Sequence, residues 1–83
     1  MDEVFDAIVD EIVVNGKHGP YAVAQSESFR RPITFLLKPP VWEEDQLPEL
    51  GTYVVLSKLT KKRAGWRAQH GRFFKPDDEK KGE

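Results

Sequence analysis

The sequence predicts an all-β fold, a small barrel of five short strands. Three observations support it. Apolar and polar residues alternate in several short runs, which is the period of a half-buried strand. β-branched and aromatic residues fill these runs, and turn signals such as Asn15-Gly16 and Pro39-Pro40 separate them. With 83 residues, the chain is long enough for one small domain with a simple core.

The first segment, residues 4–14 (VFDAIVDEIVV), is compatible with two structures. Val4, Ile8 and Ile12 recur at every fourth position, as on the apolar face of an amphipathic helix. The β-branched residues favour a strand instead, and Asn15-Gly16 directly after the segment is a common turn signal. The sequence favours the strand and leaves the helix open. A helix here would exclude the five-stranded barrel and leave a generic α+β domain.

Two further strands follow. Residues 21–25 (YAVAQ) alternate and would form a hairpin with the first strand across residues 15–20. Residues 33–38 (ITFLLK) are expected to form the third strand. It would end at Pro39-Pro40, because two prolines cannot join a central ladder.

The remaining segments complete the barrel. Residues 41–50 are predicted to be a loop or one short helical turn, and residues 61–65 a hairpin loop. The fifth strand is residues 66–75 (WRAQHGRFFK), in which Gly71 suggests a bulge or a bend. The fourth strand is residues 52–60 (TYVVLSKLT), with one face formed by Tyr53, Val55, Ser57 and Leu59 and the other by Val54, Leu56 and Lys58.

Five strands with a long connection after the third are typical of the OB-fold. Closing the sheet also removes exposed edges, which suits a small core. The predicted domain spans residues 1–76. Residues 77–83 have no apolar side chain, so they are predicted to form a disordered charged tail.

The C-terminal half resembles the end of a cold-shock-type or S1-like OB domain. Those domains have a V-F strand, then L-x-x-G, an apolar strand, a basic turn and a last strand with G-x-x-A. The corresponding segments here are residues 33–35 (ITF), 47–51 (LPELG), 53–56 (YVVL) and 65–68 (GWRA). The resemblance covers residues 33–76 and, more weakly, residues 4–25.

The chain departs from the cold-shock pattern at two motifs. Where those proteins carry K-G-[FY]-G-F-I and V-F-V-H, residues 19–23 are GPYAV and residues 33–36 are ITFL. Tyr21 and Phe35 are the candidate stacking rings that remain. The resemblance therefore implies a diverged OB module and a nucleic-acid-binding role, rather than a true cold-shock protein.

Charge is unevenly distributed along the chain. The formal net charge is −1, yet no acidic residue lies between Leu50 and Pro76. Lys and Arg neutralise phosphates and flat rings stack on bases, so this composition favours single-stranded RNA or DNA as the partner, with little sequence preference. The cations of this segment are Lys58, Lys61, Lys62, Arg63, Arg67, Arg72 and Lys75.

Aromatic residues complete the predicted interface, and several have two interpretations. Trp66 would stack on a base or cap the barrel core. Phe73 and Phe74 are adjacent in a strand, so one would face inward and the other outward. The full set of predicted nucleic-acid-binding residues is Tyr21, Arg30, Arg31, Phe35, Lys58, Lys61, Lys62, Arg63, Trp66, Arg67, Arg72, Phe74 and Lys75.

The alternative function is a protein-interaction or adaptor module. Trp42, Trp66 and the outward Phe would then form an apolar patch, and the basic stripe would meet an acidic protein within a nucleic-acid machine. For Trp42 itself, the sequence favours a plug at the open end of the barrel over a docking anchor. Loss of binding with salt would distinguish a nucleic-acid binder from an adaptor.

Other classes of function find no support in the sequence. No phosphate-binding, dinucleotide-binding or nucleophile motif is present, and the acids at Asp6, Asp10 and Glu11 are typical of a solvated face. The chain has no cysteine, and its histidines, His18 and His70, lie far apart in sequence. We therefore expect a cytoplasmic protein that is not an enzyme and has no cofactor, metal site, membrane contact or small-molecule substrate.

Overall fold

The computed structural model describes residues 4–63 and 65–75, which form a closed barrel. Around the barrel the strand order is β1-β2-β3-β5-β4, and β4 pairs with β1. The β3–β5 pair is parallel and the other pairs are antiparallel. The strands are β1 (Val4–Val13), β2 (Tyr21–Gln25), β3 (Ile33–Leu36), β4 (Tyr53–Lys62) and β5 (Gly65–Phe73).

This architecture confirms the prediction of an all-β, five-stranded OB-like barrel. It also settles residues 4–14 as strand rather than helix. Among the described residues, no helix is long and apolar enough to cross a membrane. The predicted tail, residues 77–83, lies outside the described residues.

Strand β1 explains why the sequence pattern was ambiguous. Ala7 and Val9 are buried, whereas Ile8 is exposed, so the alternation of a strand decides which residues face the core. The pairing with β2 shifts register between Val9 and Glu11. This bulge turns Ile12 to the core side, so Ile12 packs against the core whereas Ile8 does not, although the two are four positions apart.

Strand β4 corrects one predicted face. Val54 and Leu56 are buried in the core, but Lys58, which the alternation places on the same face, has a φ of 56°. This left-handed backbone interrupts the alternation. As a result Leu59, predicted to share a face with Tyr53, Val55 and Ser57, packs against the core.

Residues 41–43 complete the barrel wall where β3 and β5 diverge. These two strands pair only through Ile33 with Trp66 and Thr34 with Arg67. Farther along, the Gly71 N–H donates to the Val41 carbonyl at 2.9 Å, and the Glu43 N–H donates to the Gly71 carbonyl at 3.0 Å. The connection between β3 and β4 therefore acts as a short substitute strand.

Trp42, in the middle of this segment, closes one end of the barrel as predicted. Its side chain is 2% exposed, and its indole Nε1–H donates to the Gln46 carbonyl at 2.8 Å. Its ring lies 5.1 Å from that of Phe73 and 5.7 Å from that of Phe35. Phe73 is thus the inward member of the Phe73–Phe74 pair.

Gly71 provides the room that Trp42 needs. A Cβ built at this position would lie 3.1 Å from Leu56 Cδ2 and 3.3 Å from Trp42 Cε3. Gly71 pairs with Leu56 in a ladder whose register does not shift there. The glycine therefore permits close packing and does not mark the bulge that the sequence suggested.

A second aromatic group closes the opposite end of the barrel. Phe29, from the loop between β2 and β3, packs edge-on against Phe5 at 5.4 Å and against Trp66 at 5.1 Å. Edge-to-face aromatic pairs are worth about 0.5–1.5 kcal/mol beyond the area that they bury. We refer to Phe5, Phe29 and Trp66 as the aromatic cap.

Candidate nucleic-acid interface

The outer face of β2 and β3 lies between the β1–β2 turn and the β4–β5 turn. Tyr21 pairs with Leu36 and Val23 pairs with Thr34, so these half-buried side chains alternate with the buried alanines of β2. We call this surface the β2–β3 face. OB barrels commonly bind oligonucleotides on this face, assisted by the same two turns.

Hollows at both ends of the β2–β3 face are lined by cations. One, of about 430 Å³, lies beside the β1–β2 turn and includes Tyr21, Thr34 and Leu36. Another, of about 480 Å³, lies beside the β4–β5 turn and includes Val23, Thr34 and Trp66. A third, more open hollow extends the first one past Lys38. The basic residues that line the three hollows are Lys17, His18, Arg31, Lys38, Lys61, Lys62, Arg63 and Arg67.

No carboxylate lines any of these three hollows in the described part of the chain. A cation-lined hollow without acids has a positive potential that attracts phosphate. Lys62 lines the hollows at both ends of the β2–β3 face, so the positive surface is continuous across the face.

Backbone geometry in the β1–β2 turn brings two of these side chains close together. A Cβ at Gly16 would clash with the backbone carbonyl oxygen of Gly19 and would lie 2.8 Å from the Tyr21 ring, so this turn requires a glycine and leaves room for the ring. Gly19 has a φ of 114°, and a Cβ there would lie 3.3 Å from Lys38 Nζ. The two glycines therefore allow the phenol ring and the ammonium group to flank one turn.

The structure brings together about half of the residues predicted from the sequence. They come from β2, from the loop before β3 and from the β4–β5 hairpin, and the parallel pairing of β3 with β5 makes them neighbours. The predicted residues that line the hollows and have accessible side chains are Tyr21, Arg31, Lys61, Lys62, Arg63, Trp66 and Arg67.

Phe35 is a correction to the predicted site. Its side chain is 0% exposed and packs in the core against Trp42. The alternation of β3 turns Phe35 inward and Thr34 outward, so Thr34 is the residue of this pair whose side chain is accessible at the hollow. Phe35 cannot stack on a base in this structure.

Three other predicted residues lie at the far end of β5. Arg72 Nη1 donates to the Phe73 carbonyl at 3.2 Å, and Lys75 forms an ion pair with Glu44 at 3.8 Å. The Phe74 ring packs against Tyr53, with 6.2 Å between centroids. Arg72 lies about 17 Å from Arg67 along β5, at a rise of about 3.3 Å per residue. The basic segment of the sequence is therefore divided between two surfaces.

Arg30 and Lys58 also lie apart from the β2–β3 face. Both side chains are exposed, and neither lines a hollow there. Trp66 packs in the barrel and also reaches the β2–β3 face, and its stacking on a base stays a prediction. Its ring packs edge-on against Phe29 in the aromatic cap, and its accessible part lines the hollow with Arg31.

Sequence reasoning missed three basic residues of the interface: Lys17, His18 and Lys38. Each stands outside the basic segment, in a turn or after a strand. The only signal that could have identified them is the predicted topology, because the β1–β2 turn of an OB-like barrel flanks the β2–β3 face.

Acidic side chains of the β3–β4 connection also have structural partners. Glu43 Oε2 lies 2.9 Å from His70 Nδ1, and Glu44 Oε2 accepts the Phe73 N–H at 3.2 Å. These contacts attach the connection to β5. Among the described residues, no three His, Asp or Glu side chains are grouped so that they could hold a metal ion.

Comparisons with known proteins return no similarity on which an assignment could rest: no family model, curated protein or solved structure matches this chain.

Proposed function

We propose that this protein binds single-stranded RNA or DNA on the β2–β3 face, with little sequence preference. The observation that supports the proposal is the set of hollows on that face, which are lined by cations and by no carboxylate. The fold adds support because OB barrels commonly use this face and its flanking turns for oligonucleotides.

The proposed mechanism combines charge neutralisation with limited stacking. Phosphates would contact the cations of the two turns, with Lys62 and Arg67 in the centre of the path. Tyr21 is the ring best placed to stack on a base, because it lies on the face between the two groups of cations. Cations and a single ring do not read base edges, which is why we propose little sequence preference.

Fluorescence anisotropy with labelled oligo-dT and oligo-U tests the proposal. The wild-type protein should bind both oligomers, and the affinity should fall steeply as salt increases. The double variant Lys62→Gln with Arg67→Gln should weaken binding by about tenfold or more, since hydrogen-bonded charge contacts are worth about 1.5–3 kcal/mol each before salt screening.

The chain offers a matched control. The double variant Arg72→Gln with Lys75→Gln removes the same formal charge from the far end of β5, away from the β2–β3 face. Equal weakening by the two variants would mean that only net charge matters and would reject the proposed face. Absence of binding by the folded wild-type protein at low salt would reject the function.

An adaptor role remains the second candidate, with a changed apolar surface. Trp42 is buried and cannot belong to a docking patch, and Trp66 is largely committed to the aromatic cap. The observation that favours this role is a separate row of apolar side chains, formed by the exposed Ile8 and Tyr53 and the half-buried Phe74.

A further inference from the structure

A groove separate from the hollows of the β2–β3 face lies on the outer surface of β1 and the adjoining parts of β2, β4 and β5. Its volume is about 860 Å³. Ile8 pairs with Gln25 on one side and with Tyr53 on the other, and the Phe74 N–H donates to the Tyr53 carbonyl at 3.0 Å. Ile8, Tyr53 and Phe74 therefore form one continuous row across three elements.

Two of the three side chains in this row are exposed. Ile8 is 39% exposed and Tyr53 is 57% exposed, and the Phe74 ring is half-buried beside Tyr53. Single exposed apolar residues are common on proteins, whereas adjacent ones that share a groove favour an interaction site. Tyrosine is also among the residues that contribute most to binding energy at interfaces.

The charge of the groove is opposite to that of the β2–β3 face. Asp6 and Glu27 line the groove, and no Lys or Arg does so in the described part of the chain. In the sheet, Asp6 pairs with Val55 and Val55 pairs with Arg72, so Arg72 lies two strands away from Asp6 and does not line the groove. The two carboxylates would repel a polyanion here and would attract a cationic group.

We infer that this groove binds a segment of a partner protein that presents aliphatic side chains between Lys or Arg residues. The aliphatic groups would cover Ile8, Tyr53 and Phe74, and the cations would pair with Asp6 and Glu27. The volume of the groove is within the range of sites that accept a few side chains, so a short segment suffices. The groove and the β2–β3 face are separate surfaces, so both could be occupied at once.

A synthetic heptapeptide of alternating Lys and Leu, the basic peptide, is a suitable probe. The corresponding heptapeptide of alternating Glu and Leu, the acidic peptide, is the control of opposite charge. Titration of ¹⁵N-labelled protein should give saturable shifts at residues 6–8, 53 and 74 with the basic peptide. The acidic peptide should bind at least about tenfold more weakly, because like charges at an interface are repulsive. Absence of saturable shifts at the groove would overturn the inference.

Two sets of variants test the groove residues. The double variant Tyr53→Ser with Phe74→Ser should weaken binding of the basic peptide by about tenfold or more, as expected for central aromatic contacts. Val14→Ser is the matched control, because Val14 is 70% exposed and lies outside the groove. Equal effects of the aromatic variant and the control would reject the apolar row as the binding surface.

Charge reversal gives a test that does not disturb packing. Asp6→Lys with Glu27→Lys changes two exposed side chains and should make the acidic peptide the tighter ligand. An unchanged preference would overturn the inference. Concentration-dependent dimerisation of the wild-type protein, lost in Tyr53→Ser with Phe74→Ser, would identify a second copy as the occupant and would also overturn it.

Discussion

Replacement of Gly71 by alanine tests the packing at the closed end of the barrel. The added methyl group would lie 3.1 Å from Leu56 Cδ2, 3.3 Å from Trp42 Cε3 and 3.4 Å from Phe35 Cδ2. Carbon atoms prefer separations of about 3.5–4.0 Å, so the contacts with Leu56 and Trp42 are too short, whereas the contact with Phe35 is close to ordinary packing. All three neighbours are buried in the core, and none is a flexible surface side chain that could move away.

The expected magnitude combines two opposing effects. Overpacking of a tight core costs about 1–3 kcal/mol. Replacing a glycine restricts the unfolded chain, and this offsets about 0.4–1 kcal/mol where the backbone is not strained. We therefore expect the Gly71→Ala variant to lose about 1–2 kcal/mol of the free energy of unfolding. For a domain of this size, the corresponding fall in Tm is about 4–16 °C.

Urea denaturation followed by circular dichroism measures this change without depending on a Trp signal. Trp42→Phe in the Gly71→Ala background should recover part of the loss, because phenylalanine lacks the atoms of the indole that the methyl group approaches. Residues in contact typically show coupling energies of about 0.5–3 kcal/mol in such a double-mutant cycle. A Gly71→Ala variant as stable as the wild type would refute the reasoning, as would additive effects of the two substitutions.

Further predictions concern the interface and the aromatic cap. The Lys62→Gln, Arg67→Gln variant should flatten the slope of log affinity against log salt by about 1.4, because each phosphate contact to a single strand contributes about 0.7. Fluorescence anisotropy at several salt concentrations measures this slope, and an unchanged slope would contradict the prediction. Tyr21→Ala should weaken oligonucleotide binding by about 1–3 kcal/mol through lost stacking, and a change smaller than twofold in the same assay would exclude a stacking role. Phe29→Ala should lower the free energy of unfolding by about 2–3 kcal/mol in urea denaturation, less than for a fully buried Phe, and a neutral result would show that the cap adds no stability. Gly65→Ala should lower the free energy of unfolding by about 1–3 kcal/mol, because a φ of 136° disfavours any side chain even though the space around Gly65 is open. Thermal unfolding measures this loss, and an unchanged Tm would contradict the prediction.

Most of the fold could be predicted because strand alternation and turn residues are local signals. The exceptions occur where two strands interact. The bulge near Asp10 is a product of the pairing of β1 with β2, and the reversal at Lys58 depends on a left-handed backbone that no residue type specified. The sequence predicts a bulge or a bend at Gly71. Its role depends instead on Trp42, which lies 29 positions earlier in the chain and contacts Gly71 only in the closed barrel.

The candidate site was predicted less completely, for a related reason. A run of cations in the sequence suggested one surface, but a strand extends from one end of the barrel to the other and separates Arg67 from Lys75. Conversely, Lys17 and Lys38 are isolated in the sequence but line the same hollow, where the missing Cβ of Gly19 leaves room for the Lys38 ammonium group. Phe35 was included for its residue type, whereas burial in β3 determines its role.

The contacts of residues 41–43 with Gly71 have a consequence for where this chain can change in length. Connections between strands usually tolerate insertions, because their backbone faces water. Here one additional residue before Trp42 would displace its indole from the space between Phe35 and Phe73 and would break both hydrogen bonds to Gly71. Epitope tags, circular permutations and natural length variants should therefore be accommodated in residues 47–50, beyond the Gln46 carbonyl that accepts the Trp42 indole N–H, and be rejected in residues 39–43.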